Sequence, residues 1–219
     1  LTHSSDLPVF RVDPAQEADP MKMEPSRPQR AGEYRHSYKT WQDLDKEEAR
    51  RRVLHGASLY VAGVAGTGKS FFVKQCVEEL RALGKTVDII AKTHTASSRL
   101  PGGVTADHYV RRYILHGGIR ADVVWIDEVS QIETALWTQL NKVQGVQWLI
   151  SGDFNQMPPF FDTWRGSQVH EEALAKSSFF KDLAGCNRLT LTEGHRSDMA
   201  LFNFYSSLIA GGARFAQPL

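Results

Sequence analysis

One short segment constrains the fold of this chain more than any other, and it consists of Gly63-Val64-Ala65-Gly66-Thr67-Gly68-Lys69-Ser70. The apolar run Leu59–Ala62 before it predicts a buried strand, and the pattern from Phe71 to Leu80 after it predicts a helix. Glycines let successive backbone N–H groups turn inward, and the start of the helix adds its positive dipole end. GxxxxGKS between a strand and a helix therefore predicts a phosphate-binding loop.

Short apolar runs alternate with helical patterns along the rest of the chain. Besides the run before the phosphate-binding loop, they are Val87–Ala91, Val123–Ile126, Val146–Ile150 and Leu189–Leu191. This alternation is typical of α/β proteins in which helices cover both faces of a parallel sheet. The residues Asp43–Glu48 are also predicted to open a charged helix that runs through Arg52 and ends at Gly56.

Two adjacent acids, Asp127 and Glu128, follow the predicted strand Val123–Ile126. Strand ends in such sheets face the ligand crevice. We therefore expect Asp127 and the Ser70 hydroxyl to bind Mg²⁺, while Lys69 neutralises the β and γ phosphates of ATP. Glu128 is the natural base for the attacking water. On its own, an Asp-Glu pair at a strand end is more often a solvated turn, and the upstream loop favours the functional interpretation.

A polar segment follows the next predicted strand, and it is Ser151-Gly152-Asp153-Phe154-Asn155-Gln156-Met157-Pro158-Pro159. A glutamine just past a strand tip can hydrogen-bond a γ-phosphate or the attacking water, so Gln156 is a candidate sensor of the bound nucleotide. Gly-Asp and Pro-Pro are also ordinary loop punctuation, which is the alternative interpretation.

The ordered set GVAGTGKS, WIDEVS, SGDFNQMPPF and LTEGHRSD resembles the superfamily I DNA helicases, specifically the RecD/PIF branch that moves 5′ to 3′ on single strands. The resemblance covers roughly residues 41–219 and implies the first RecA-like P-loop NTPase domain of such an enzyme. It also implies that six residues serve ATP: Lys69, Ser70, Asp127, Glu128, Gln156 and Arg196. ATP and Mg²⁺ are then the cofactors, single-stranded DNA is a partner, and a second RecA-like domain is expected in the full-length chain.

Candidate DNA contacts follow from the same resemblance. The segment Lys92–Ser97 is similar to motif Ia, and Thr93, His94 and Thr95 can donate to phosphate oxygens without recognising sequence. Phe160 and Phe161 could stack on unpaired bases. A local aromatic core is the alternative for these two phenylalanines.

The chain departs from the family pattern in several places. The Thr-x-His motif has one extra residue before His108, which argues against a DNA role for that histidine. Gln42 is only a weak candidate for reading adenine. Basic and aromatic residues that form either a small DNA-binding element or a solvated helix face are Arg111, Arg112, Tyr113 and His116. Nothing resembling the second RecA-like domain, with its motifs V and VI, follows Arg196.

Composition sets the domain organisation. Five of the nine prolines lie in the first 28 residues, so we expect a disordered linker over residues 1–36 and one ATP-binding domain over residues 37–219. Lys and Arg number 26 against 25 for Asp and Glu, so any nucleic-acid surface must be a local patch. With only two cysteines, the chain cannot form a disulfide framework. It also has no run of about 18 apolar residues, the length needed to span a bilayer. The chain begins at Leu1 without a leader, and we expect a fragment.

The sequence therefore predicts the ATP-binding motor domain of a 5′–3′ DNA helicase. This motor would couple Mg²⁺-dependent ATP hydrolysis to translocation on single-stranded DNA and to duplex unwinding. Two alternatives stay open: a nucleotide-gated P-loop switch, or a degenerate transposon- or virus-derived helicase fragment that binds ATP without unwinding. The Gly-Asp-x-x-Gln-x-Pro-Pro segment favours the helicase.

Overall fold

The structure is a computed structural model that describes residues 40–116, 118–156, 159, 162–164, 166–169 and 171–194. The predicted linker 1–36 lies outside these residues. The strands are β1 (Gln42–Leu44), β2 (Leu59–Gly63), β3 (Val87–Ala91), β4 (Val104–Thr105), β5 (Val123–Asp127), β6 (Gln147–Gly152), β7 (Thr163–Trp164), β8 (Ser167–Gln168) and β9 (Asn187–Leu191). The α-helices are α1 (Lys46–Leu54), α2 (Lys69–Ala82), α3 (His94–Ser98), α4 (Ala106–Tyr109), α5 (Thr134–Leu140), α6 (Glu171–Lys176) and α7 (Ser178–Leu183).

Seven strands form one parallel sheet in the order β1-β9-β2-β6-β5-β3-β4. All five strands expected from the apolar runs are present, and β1 and β4 extend the sheet at its two edges. A separate antiparallel pair consists of β7 and β8. The predicted α/β class, with a parallel sheet and helices on both faces, is confirmed.

Alternate residues along the central strands enter two hydrophobic clusters. Leu59 and Val61 of β2 join one cluster with residues of α1 and α2, whereas Tyr60 joins the other with residues of α4, α5 and α7. In β5, Trp125 belongs to the first cluster and Ile126 to the second. Because both faces of each strand are buried, these strands are almost wholly apolar, which is why the sequence predicts them well.

The predicted opening of the first helix at Asp43 is wrong. Gln42–Leu44 is a strand, and the helix begins at Lys46. Asp45 is its N-cap, and its side chain accepts a hydrogen bond from the Glu48 backbone N–H at 2.8 Å. An aspartate at this position satisfies an amide that the first helical turn leaves unpaired, so the helix starts after it.

The carboxyl ends of β2, β5, β6 and β9 lie side by side at one edge of the sheet. Gly63, Asp127, Gly152 and Leu191 are the last residues of these strands. Loops that follow these ends are thereby held close together by a rigid sheet, as in other open α/β sheets. Within the described residues, none of the helices has the length and apolar character needed to cross a membrane.

Leu149→Ala should strongly destabilise the domain, because Leu149 is 1% exposed at the centre of the sheet. We expect a loss of about 2–5 kcal/mol in the free energy of unfolding, or a fall of about 5–15 °C in Tm. Leu83→Ala is the matched control, since Leu83 is 64% exposed at the end of α2. Thermal unfolding followed by circular dichroism measures both. Equal Tm values for the two variants would contradict the position of β6 in the core.

Candidate nucleotide-binding site

The phosphate-binding loop joins β2 to α2, and its glycines permit its course. Gly66 and Gly68 have φ of 84° and 87°, in the left-handed region that favours glycine. A Cβ atom at Gly63 would lie 2.5 Å from the Leu191 carbonyl oxygen and 2.7 Å from Thr67 Oγ1. The loop can therefore leave β2 directly beside the end of β9 only because residue 63 has no side chain.

Lys69 lies across this loop. Its Nζ donates to the carbonyl oxygens of Gly63 at 2.6 Å and of Val64 at 2.9 Å. Thr67, which is 2% exposed, closes the loop from inside, since its hydroxyl donates to the Val64 carbonyl at 2.9 Å. A positive charge is thus held where backbone N–H groups and the start of α2 already favour an anion.

Ser70 and Asp127 meet beneath the loop. The Ser70 hydroxyl lies 2.9 Å from Asp127 Oδ2 and 3.2 Å from Oδ1 and donates to this carboxylate. Asp127 is only 8% exposed. The hydroxyl group takes the place of water that burial removes from this side chain, as a buried polar group requires. A hydroxyl and a carboxylate side by side are oxygen ligands of the kind that Mg²⁺ prefers.

Sequence reasoning missed a second support for Asp127. The Ser151 hydroxyl donates to Asp127 Oδ1 at 2.7 Å, and the Trp125 Nε1–H donates to Ser151 Oγ at 2.8 Å. Trp125 is buried, as expected of a core residue, and it also orients this hydroxyl. The available signal was a serine directly after the apolar run that ends at Ile150. Its partner becomes visible only once β5 and β6 are known to pair.

Glu128 has an unusual backbone and an altered acidity. Its φ of 55° and ψ of 48° are left-handed, a conformation that non-glycine residues adopt mainly where the surrounding structure imposes it. Burial, and then the negative charge of Asp127, raises the pKa of Glu128, while Arg99 and Lys69 partly oppose this effect. A carboxylate with raised pKa beside a phosphate-binding loop suits a general base.

Two cavities flank the end of β9 beside the loop. The smaller, of 220 Å³, lies between Thr67, the start of α1 and β9, and is lined by Leu44, Asp45, Lys46, Thr67, Leu189, Thr190, Leu191, Thr192 and Glu193. The larger, of 450 Å³, has Trp41, Tyr60 and Phe154 as aromatic walls and reaches Gly63 and Val64. Gln42, the candidate for reading adenine, contacts an arginine: its Oε1 accepts a hydrogen bond from the Arg52 guanidinium at 2.6 Å.

Of the remaining residues predicted to contact ATP or DNA through the motifs after β6, the structure describes Gln156. Gln156 follows β6, is half-buried, and donates its backbone N–H to the Asp153 carbonyl at 3.1 Å. The hydrogen bonds of the described residues do not join it to the phosphate-binding loop. Arg196, Phe160 and Phe161 lie outside the described residues. Their roles remain predictions.

The predicted DNA contacts lie on a surface at the same edge of the sheet. Thr93, His94 and Thr95 are exposed after β3, and Thr93 Oγ1 caps α3 by accepting from the Ala96 N–H at 3.1 Å. His108, Arg111, Arg112 and His116 are exposed as well, the two arginines on a π-helical turn over Val110–Ile114. All of these side chains can be reached by a ligand.

This arrangement of sheet, loop and carboxylate is that of a P-loop α/β nucleotide-binding domain. Comparison with protein families narrows the class, because the model of the family described as AAA domain matches residues 45–161, more than half of the chain. The chain belongs to this AAA domain family.

Individual relatives are PIF1-type helicases. The chain is 30% identical over 155 residues to the human ATP-dependent DNA helicase PIF1. This alignment covers 57% of this chain and 23% of that protein. The ATP-dependent DNA helicase PIF1 of Candida albicans is 28% identical over 145 residues, and that alignment covers 52% of this chain and 16% of the relative. This chain therefore spans less than a quarter of these curated relatives.

Solved structures agree with these comparisons. The crystal structure of Pif1 helicase from Candida albicans has a TM-score of 0.60 at 26% identity, over 75% of this chain and 43% of that one. The crystal structure of Pif1 from Bacteroides sp has a TM-score of 0.50 at 20% identity, and the match covers 77% of this chain and 47% of that one. The predicted RecA-like fold and the resemblance to the RecD/PIF helicases are confirmed.

Glu128→Gln should stabilise the protein at neutral pH when metal is chelated and nucleotide is absent. A carboxyl whose folded pKa is raised contributes stability fully below its unfolded pKa, about 4.3, and this contribution is lost as pH rises through the folded pKa. The glutamine variant should thus have a higher Tm at pH 7.5, and the difference should shrink towards pH 4.

Glu78→Gln on the exposed face of α2 is the control for this stability measurement, and we expect its Tm to follow the wild type across the pH range. Thermal unfolding in buffers with a chelator measures all three proteins. If Glu128→Gln unfolds at or below the wild-type Tm at pH 7.5, the raised pKa assigned to Glu128 is wrong.

Proposed function

We propose that this chain is the ATP-binding motor domain of a 5′–3′ DNA helicase, which couples Mg²⁺-dependent ATP hydrolysis to translocation on single-stranded DNA and to duplex unwinding. The observation that carries this proposal is the contact between Ser70 and Asp127 beneath the phosphate-binding loop. It occurs in a chain that resembles ATP-dependent DNA helicases in sequence and the Candida albicans Pif1 helicase in fold.

The residues present fit Mg²⁺. Two adjacent oxygens of an octahedral Mg²⁺ shell, each about 2.0–2.1 Å from the ion, lie about 2.9 Å apart. Ser70 Oγ and Asp127 Oδ2 are 2.9 Å apart, so both oxygens would be close enough to hold one ion. When bound with ATP, the ion would neutralise charge on the β and γ phosphates. Ser151 would keep Asp127 oriented towards it.

Groups of the protein itself would bind the phosphates and activate the attacking water. The N–H groups of the loop and the Lys69 ammonium would bind the phosphates, and Lys69 would exchange its two carbonyl acceptors for phosphate oxygens. Glu128 would orient the attacking water and take its proton. The resemblance gives Gln156 and Arg196 the γ-phosphate as their partner. The Bacteroides sp Pif1 has been crystallised in complex with ADP-AlF4.

DNA would bind across the neighbouring strand ends. Thr93, His94 and Thr95 are exposed there and can donate hydrogen bonds to backbone phosphates. Single-stranded DNA and a second RecA-like domain are the partners that we propose for the complete motor. A second domain would cover the nucleotide and supply an arginine finger, which accelerates P-loop enzymes by about 10³–10⁵-fold.

Lys69→Ala should abolish Mg·ATP binding by this chain. The substitution removes the cation at the mouth of the loop, whereas the fold depends on other contacts. Lys74→Ala is the matched control, because Lys74 is an exposed lysine of the same helix. Isothermal titration with Mg·ATP should show wild-type affinity for the control and no detectable binding for Lys69→Ala. Equal affinities for both variants would refute the site.

Glu128→Gln and Asp127→Asn should fail for different reasons in a protein that also carries the proposed second RecA-like domain. Glu128→Gln removes the base and keeps the metal ligand, so nucleotide binding survives while turnover falls about 10²- to 10⁴-fold. Asp127→Asn weakens the metal site, so added magnesium should partly restore its activity.

Steady-state ATPase assays over a magnesium series, with single-stranded DNA saturating, compare these two variants. Rescue by magnesium should be confined to Asp127→Asn. If Glu128→Gln keeps more than about a tenth of the wild-type turnover, Glu128 is not the base.

A further inference from the structure

A lysine at the end of β3 bridges two other segments of the chain. Lys92 Nζ lies 2.6 Å from Glu133 Oε1 and 2.9 Å from Asp107 Oδ2. The side chains of Lys92 and Glu133 are only 23% and 25% exposed, whereas that of Asp107 is 52% exposed. The Lys92–Glu133 pair is therefore the more desolvated and the shorter of the two contacts.

Glu133 depends on Lys92 for the compensation of its charge. Its second oxygen, Oε2, is buried and has no hydrogen-bond partner within the described part of the chain. Burial by itself would lower the pKa of Lys92, but hydrogen bonds and charges of Glu133 and Asp107 outweigh it and raise this pKa, so the lysine stays charged. Removing one member of such a pair leaves a desolvated charge.

Glu133 is rigidly connected to the nucleotide side of the site. The residues between Glu128 and Glu133 form a tight turn in which the Gln131 N–H donates to the Glu128 carbonyl at 3.0 Å. Val129 in this turn is fully buried and packs so closely on Gly152 that a Cβ at residue 152 would lie 2.8 Å from its backbone nitrogen. A displacement of Asp127 or Glu128 is therefore expected to move Glu133 as well.

Lys92 is equally close to the proposed DNA surface. It directly precedes Thr93, whose side chain caps α3, and the exposed His94 and Thr95 form the first turn of that helix. The contact between Lys92 and Glu133 thus joins the loop that follows the metal-binding strand β5 to the loop that presents the proposed phosphate donors. Lys92 and Glu133 are 41 positions apart in sequence.

We propose that Lys92 and Glu133 are a positioning pair that couples nucleotide binding at the Asp127–Glu128 side to single-stranded DNA binding at Thr93–Thr95. Lys92 acts through Glu133 and does not itself bind DNA phosphates, because two carboxylates already hold its ammonium group. This inference rests on the proposed function. Linkage requires that each ligand raise the affinity of the other by the same factor, typically about 5–150-fold.

The experiment measures this coupling factor with the chain itself. Affinity for a fluorescent non-hydrolysable Mg·ATP analogue is titrated with and without saturating oligothymidylate, and affinity for labelled oligothymidylate with and without the analogue. We expect Lys92→Met and Glu133→Gln to reduce the coupling factor to below about 2, while each ligand alone still binds. Asp107→Asn is the matched control and should keep the wild-type factor, since Asp107 contacts Lys92 from α4, not from the turn after β5.

Two further measurements separate positioning from simpler roles. A lysine that contacts a DNA phosphate would lower the salt dependence of single-strand binding by about 0.7 in log–log slope when removed. Positioning predicts an unchanged slope for Lys92→Met. The exchanged double variant Lys92→Glu/Glu133→Lys should recover part of the coupling, and it serves as the test if Lys92→Met unfolds, which thermal unfolding detects.

The outcomes distinguish the two levels of the argument. A wild-type chain that binds neither the analogue nor DNA would overturn the proposed function together with this inference. A wild-type chain that binds both ligands would leave the proposed function intact. The inference alone is then overturned if the wild type shows no coupling, if coupling survives Lys92→Met and Glu133→Gln, or if the salt slope falls in Lys92→Met.

Discussion

The buried carboxylate of Asp127 is the constraint around which the site is organised. A carboxylate that is 8% exposed is stable only where donors replace the water it has lost, and here hydroxyl groups of Ser70 and Ser151 supply them. Each donor belongs to a different element, because Ser70 lies in the first turn of α2 and Ser151 lies in β6. The strands β5 and β6 and the helix α2 must therefore all be in place before this carboxylate can be buried. The same packing fixes the phosphate-binding loop, because the loop leads into α2.

The strain and acidity of Glu128 follow from that arrangement. Asp127 ends its strand facing the loop, so the next residue must turn sharply, and it does so in a left-handed conformation. The turn places a second carboxylate beside the first, where burial and like charge both favour the protonated form. The raised pKa of Glu128 is thus a consequence of ending the strand with a buried carboxylate, and the tight turn connects both acids to Glu133.

Sequence reasoning found what local pattern determines. The apolar runs of the central strands and the glycine spacing of the phosphate-binding loop are signals carried by neighbouring residues, and both were confirmed in position. It missed β1, because Gln42, Asp43 and Leu44 have no strand-like pattern and pair only through the distant β9. Ser151 and the Lys92–Glu133 pair were missed for the same reason. Their partners are separated in sequence by 24 and 41 residues and meet only in the folded sheet.

The place of β9 in the sheet has a consequence for synthesis of the chain on the ribosome. Among the strands in the described part of the chain, β9 is the last to emerge, yet it lies between β1 and β2, and its terminal carbonyl packs against Gly63. Until residue 191 has left the exit tunnel, β1 has no neighbour among the described strands, and the β9-facing edge of β2 stays open to other chains. Nascent chains that stall before β9 should therefore be prone to aggregate and to need a chaperone on that edge.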